Sequence, residues 1–358
     1  MMYLFYFCVL YSNFLAFITK NNVIKKCALF LIFLFLWIIL GWSAGAYDVE
    51  VAISRYENYQ YYSSFTEIGY NILVYGCNKL GMSYRLFFVL CSFFDILTIF
   101  YFVNRNSKSK LITLTLFIIF PFVIYLQYVK NILAFSFVLL GIDCLLNKRK
   151  HYILKYILFI LIASSIHLNS LFFLLYLPMS LMTKKKVIIF AIILFFILLN
   201  SYSKNLFLNI INLFLGEKKV SQIGDVSINT DGQFGRIFAM IFAILEFFVL
   251  YIFFSKRNHS NLKCCYVDFF LKINILSIIL IPLTMFYGIG FARFLDLLSI
   301  VNYCFYATEI SNLTKIKDKK ICISIIFCFF LGLIILYYRN IEYREAVLIP
   351  FFEKNDLF

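Results

Sequence analysis

Several ionisable side chains stand where apolar runs of this chain begin or end, and each brings a definite chemistry. Arg293 follows the break Gly288-Ile289-Gly290, and Arg236 follows Gly232 and Gly235, each opening a run. Guanidinium groups grip phosphate oxygens in pairs and helix starts add open N–H donors, so the two arginines suit a pyrophosphate. Snorkelling to lipid headgroups is the alternative use of both. Lys130, within Gln127-Tyr128-Val129-Lys130-Asn131, and Arg85, beside Tyr84, open two further runs. They serve either as anion ligands or as plain interfacial cations. His167 sits in Ile166-His167-Leu168-Asn169 among apolar neighbours. There it is either a hydrogen-bonded structural group or an acid and base facing a cavity. Asp48 and Glu67 flank a stretch holding Tyr47, Tyr59, Tyr61 and Tyr62. Aromatic rings pack against the apolar faces of sugars while carboxylates accept their hydroxyl hydrogens, although solvated loop charges explain the same residues.

No other chemistry is legible. The chain holds no glycine-rich phosphate loop, nucleophile elbow, paired helical histidines or zinc-type spacing, so neither a metal nor a cofactor is expected. Cys91, Cys144, Cys304 and Cys328 lie inside apolar runs and read as reduced, buried thiols. The formal charge of +15 would suggest nucleic acid in a soluble protein. With 63% hydrophobic and 14% charged residues and a mean hydropathy of +0.90, lipid is the solvent and no nucleic-acid partner is expected.

The elements that must position these groups are membrane helices. Charges divide the sequence into twelve apolar runs, so the expected fold is all-α, with residues 1–358 forming one transmembrane domain of about twelve helices. The runs extend from Tyr3–Ile18 through Cys27–Ala44, Tyr84–Val103, Leu111–Leu126 and Asn131–Leu146 to Ile321–Tyr338. The first carries no basic leader or small-residue cleavage site and reads as an uncleaved helix.

Loop charge gives the orientation. Lys20 to Lys26, Arg105 to Lys110, Lys148 to Lys155, Lys184 to Lys186, Lys256 to Lys263 and Lys315 to Lys320 fall in alternate loops, with Asp318 the only acid among them. The positive-inside rule makes these loops cytoplasmic and places both termini outside. Asp48, Glu67, Arg85, Lys130, His167, Arg236 and Arg293 then share the outer face. The stretch Tyr152–Met182 is short of two full crossings, and a hairpin of two short helices turning at His167 fits it.

Two outer segments are long. Residues 45–85 contain a half-apolar stretch, Ile68 to Leu80, that suits a short interfacial or re-entrant helix. Residues 201–233 form a large outer loop resembling a lid.

At YDVEV, TEIGYNILV, YVKNILAFSF and SSIHLNSLFF the chain resembles the EpsG-like branch of the Wzy polysaccharide polymerases, over roughly Gly41 to Leu181, with an echo at Gly290-Phe291-Ala292-Arg293. Where the family pattern has Arg-Gln, this chain has Lys130-Asn131, which keeps the charge and loses the bidentate fork.

The resemblance implies a GT-C-like or Wzy-like architecture in the bacterial cytoplasmic membrane. It implies a glycosyl transfer that joins polyprenyl-pyrophosphate-linked oligosaccharide repeat units of O-antigen, capsule or exopolysaccharide. Arg293, Arg236 and His167 would be catalytic, and Lys130, Asp48, Glu67, Tyr47 and Arg85 would bind substrate. Membrane lipids, a chain-length regulator and a flippase of the same pathway are the implied partners. An O-antigen ligase, a flippase-type transporter and a membrane acyltransferase are the rival readings. The intramembrane acids Asp95, Asp143, Glu246, Asp296 and Glu309 keep the transporter open.

Overall fold

The computed structural model describes residues 21–43, 47–59, 67–122, 129–200, 237, 240–241, 243–251, 264–287, 293–313, 320–326, 332 and 349. All of the elements among them are helical, with no strand. The expected first span, Tyr3–Ile18, and the large loop 201–233 lie outside the described residues.

In chain order the helices are α1 (Asn22–Gly41), α2 (Tyr47–Glu57), α3 (Ile68–Lys79), α4 (Tyr84–Asn106), α5 (Lys110–Ile119), α6 (Val129–Asn147) and α7 (Tyr152–Ile166). A 3-10 helix (Leu168–Leu175) follows. Then come α8 (Tyr176–Leu181), α9 (Lys184–Leu199), α10 (Cys264–Ser277), α11 (Leu280–Tyr287) and α12 (Arg293–Asn312). Among the described residues, four stretches are long and apolar enough to cross a bilayer: Asn22–Gly41, Tyr84–Asn106, Lys130–Asn147 and Val267–Met285.

Two compact units divide the chain. The first comprises Met1–Cys144, Leu154–Leu171 and Ser299–Phe358, and the second Leu145–Ile153 and Phe172–Leu298. In the first, α1 and α4 run antiparallel. The Phe33 ring meets Phe93 at 5.6 Å and Phe100 at 5.2 Å, while Trp37 Nε1 donates to Val89 O at 3.1 Å. α4 and α6 run parallel. Ser136 Oγ donates to Asp95 at 2.8 Å in mid-helix, and at their far ends Arg105 pairs with Asp143 at 2.6 Å. Asn106 Nδ2 adds a bond to the same carboxylate at 3.0 Å. α5 runs against α12, where Lys108 N donates to Thr308 Oγ1 at 3.1 Å and Lys108 Nζ to Asn312 at 2.7 Å.

In the second unit, α10 packs against α8, α9 and α11. Lys272 pairs with Asp268 at 2.6 Å, and Lys184 lies 3.8 Å from the same carboxylate.

Three apolar runs are broken by local chemistry that a hydropathy count passes over. The run Leu111–Leu126 stops at Ile119 because Phe120 precedes a proline and is held extended (φ −162°, ψ 134°). The run Tyr266–Tyr287 divides into α10 and α11 because Pro282 has no N–H to give residue 278, and Ile279 N bonds Leu276 O instead. The stretch Tyr152–Met182 breaks at His167, where the sequence places its turn.

Within 45–85 the expected helix is present as α3. A second, α2, was not anticipated there, although Val49, Ala52 and Tyr56 recur at helical spacing and are all buried. Tyr56 fastens this segment to α4. Its hydroxyl donates to Met82 O at 2.8 Å, and its ring meets Tyr84 at 5.7 Å and Phe87 at 5.3 Å.

Asp143→Ala would leave the Arg105 guanidinium half-buried without the carboxylate that compensates it. The expected loss is about 3 kcal/mol of stability, read as a lower unfolding midpoint of the detergent-solubilised protein; an unchanged midpoint would contradict the assignment.

Candidate functional site

Glu67 is the centre of the site. It takes the N-cap position of α3 in left-handed conformation (φ 68°, ψ 37°), and its side chain makes no capping bond to its own helix. That backbone region costs a residue with a Cβ roughly 1–2 kcal/mol, so the surroundings must hold it there. Two distant segments do so. Lys130, in the first turn of α6, brings Nζ to 2.9 Å from Oε2, and His167, just past the end of α7, brings Nδ1 to 3.2 Å from Oε1.

Helix ends explain why these side chains meet. α6 begins and α7 finishes at the same end of the unit as the start of α4, where α3 is docked. His167 N still donates to Ala163 O at 2.8 Å, and His167 O accepts from Ser170 N at 2.9 Å. The backbone that carries the imidazole is therefore held by a helix terminus at one side and by a 3-10 turn at the other.

A close approach between helices completes the positioning. A Cβ on Gly69 would lie 2.2 Å from Ser165 Oγ and 3.1 Å from the Ser165 backbone carbon, so α3 touches the last turn of α7 through bare backbone. Ser165 Oγ is itself tied to Ile162 O at 2.7 Å. One turn from Glu67, Tyr70 lies beneath Lys130, whose Nζ is 5.4 Å from the ring centroid. Burial, reinforced by neighbours that include Glu67, raises the Tyr70 phenol far above its ordinary range, so it acts as a neutral ring and hydroxyl.

Exposure is uneven across the cluster. The Glu67 side chain is 9% exposed, whereas Lys130 and His167 are 22% and 21% exposed. The carboxylate is the most covered of the three groups, and the Lys130 and His167 side chains reach the surface of the cluster. When the imidazole is neutral and donates Nδ1–H to Glu67, Nε2 carries the lone pair and is the proton acceptor. Among the described residues, no group of three His, Cys, Asp or Glu is gathered as for a metal ion.

The other candidates are distributed as follows. Arg85 caps the end of α1, donating to Ser43 O at 3.1 Å and Gly41 O at 3.4 Å. This satisfies carbonyls that the helix end leaves open. Arg293 lies in α12, and Tyr47 and Asp48 lie in α2; the side chains of these three lie outside the described residues, as does all of Arg236. Tyr59 meets Tyr75 at 5.7 Å, while Tyr61 and Tyr62 fall outside. Sequence reasoning missed Gly69 and Tyr70 as positioning residues. Both stand in the motif Glu67-Ile68-Gly69-Tyr70, but nothing local announces Ser165 or Lys130 as their partners.

Fold and site together define an all-helical membrane protein with a carboxylate-centred ionic cluster where helix termini converge. The model of the EpsG family matches residues 26–351. The chain belongs to that family, whose members are membrane proteins of polysaccharide biosynthesis. No curated protein and no solved structure matches the chain significantly.

Two glycines of α3 give opposite expectations. Gly76 has nothing within 4 Å of an added Cβ, so Gly76→Ala is expected to stabilise by about 0.5–1 kcal/mol through helix propensity. Gly69→Ala must push α3 off α7 and is expected to destabilise by about 1–3 kcal/mol. Unfolding midpoints of the two variants check the signs, and equal shifts would refute the close contact.

Proposed function

We propose that this protein is a Wzy-type polymerase that joins polyprenyl-pyrophosphate-linked oligosaccharide repeat units on the outer face of the bacterial cytoplasmic membrane. The observation that carries the reading is the convergence of Lys130, Glu67 and His167 from three separate motifs of the family resemblance onto one cluster. A GT-C-like architecture and two outward termini belong to the same reading.

In the reaction, a hydroxyl oxygen of the incoming repeat unit attacks the anomeric carbon of the growing glycan. The bond from that carbon to the pyrophosphate oxygen breaks, and the lipid pyrophosphate leaves with the electron pair. His167 Nε2 takes the hydroxyl proton, while Glu67 holds Nδ1–H and so sets the tautomer and ring orientation. Lys130 neutralises the carboxylate that holds the imidazole, so that no net negative charge repels the incoming pyrophosphate-linked substrate. Arg293 and Arg236 are assigned to the charge that develops on the pyrophosphate. Asp48, Tyr47 and Arg85 complete the proposed substrate contacts. No step requires a metal ion.

The ion-path alternative loses support from two of the five intramembrane acids. Asp95 accepts from Ser136, and Asp143 is held by Arg105 and Asn106. Both are explained by helix packing.

Complementation of a polymerase deletion in the native strain tests the proposal, with surface polysaccharide read on a gel at matched membrane levels. Wild type is expected to restore a ladder. His167→Ala should leave single capped repeat units, a loss of about 100-fold or more in chain growth. Lys130→Arg should keep the ladder, and Lys130→Met should lose it. A normal ladder in the uncomplemented deletion, or full activity of His167→Ala, would overturn the reading and bring transport or acyl transfer forward.

A further inference from the structure

α2 and α3 are neighbours in sequence and both pack against α4, yet their outward faces are chemically opposite. Among the described side chains of α2 the buried ones are Val49, Ala52 and Tyr56, and the exposed ones are Ser54 and Glu57. That is the pattern of a helix with water outside. On α3 the buried positions are Tyr70 and Val74, each 4% exposed. On its outward side Ile68 is 50% exposed, Ile72 63% and Tyr75 51%, and Leu80, just past its end, is 73% exposed.

At 100° per residue, Ile68, Ile72 and Tyr75 form one stripe facing away from the Tyr70 and Val74 stripe. A helix apolar on both sides needs a second apolar medium. Its twelve residues, about 18 Å long, are too few to supply that medium by crossing a bilayer.

The neighbouring surface identifies the medium. α4 has the length and composition of a membrane span, and its exposed residues Leu86, Leu90, Phe93, Leu97 and Tyr101 recur at helical spacing as a lipid-facing stripe. α3 is docked at the head of α4, through Tyr70 against Phe87 at 6.2 Å, so its apolar face stands at the end of that membrane span. At the far end of α3, Lys79 Nζ lies over the Tyr75 ring at 5.7 Å, the pairing of a snorkelling base with an interfacial aromatic.

We infer that the membrane–water boundary passes between α2 and α3: α3 lies in the interface with Ile68, Ile72, Tyr75 and Leu80 against lipid acyl chains, and α2 stands in water above it. Glu67 immediately precedes Ile68, so the Glu67–Lys130–His167 cluster opens at the depth where a lipid-borne headgroup resides. Resting on the polymerase reading in this respect alone, the inference explains how such a cluster would meet a lipid-linked substrate without drawing it into water.

Photo-crosslinking of the wild-type full chain, reconstituted in phosphatidylglycerol–phosphatidylcholine vesicles carrying a diazirine on the acyl chain, tests the placement, with adducts mapped by peptide mass spectrometry. Adducts are expected on residues 68–80 and on 86–101, and none on 49–58. Labelling of 86–101 without 68–80 would overturn the inference, as would equal labelling of 49–58. Because the readout is lipid contact and not polysaccharide, either result is independent of whether the protein polymerises glycans.

Discussion

The ion pair between Glu67 and Lys130, with His167 on the carboxylate's other oxygen, is the constraint that ties together the described end of the first unit. A carboxylate nine-tenths covered, at the edge of an apolar bundle, is stable only with its charge compensated. Compensation comes from the first turn of one helix and the residue just past the end of another. Satisfying one charge therefore fixes where α3, α6 and α7 end relative to one another. Gly69 allows the approach, and the strained backbone of Glu67 is the local cost of aiming the carboxylate away from its own helix.

That arrangement separates support from chemistry. The opposite helix ends are held by Arg105, Asp143 and Asn106, and by Lys108 with Thr308 and Asn312, which are packing devices. At the Glu67 end the same kinds of group leave an imidazole and an ammonium partly open. An imidazole whose Nδ1 is committed to a carboxylate presents a single basic nitrogen, the form a general base requires.

Much of this was legible in the sequence because lipid simplifies the problem. The four described apolar stretches long enough to span, the break at His167 and the helix after Glu67 all follow from hydropathy and turn residues. Proline chemistry at Pro121 and Pro282 shortens or divides runs that composition alone joins. α2 was hidden by its charged residues although Val49, Ala52 and Tyr56 carry the period. Glu67, Lys130 and His167 were each identifiable as ionisable groups at helix ends, but their meeting was not. It depends on the Gly69–Ser165 contact across nearly a hundred residues, which no local pattern encodes.

The most direct test of the central claim is a double-mutant cycle on glycosyl transfer by the reconstituted protein, comparing Glu67→Gln, His167→Ala and the double variant with wild type. If Glu67 acts through His167, the double variant is no slower than His167→Ala alone, because the carboxylate has nothing left to orient. Losses that multiply would show that the two residues act separately and would contradict the account.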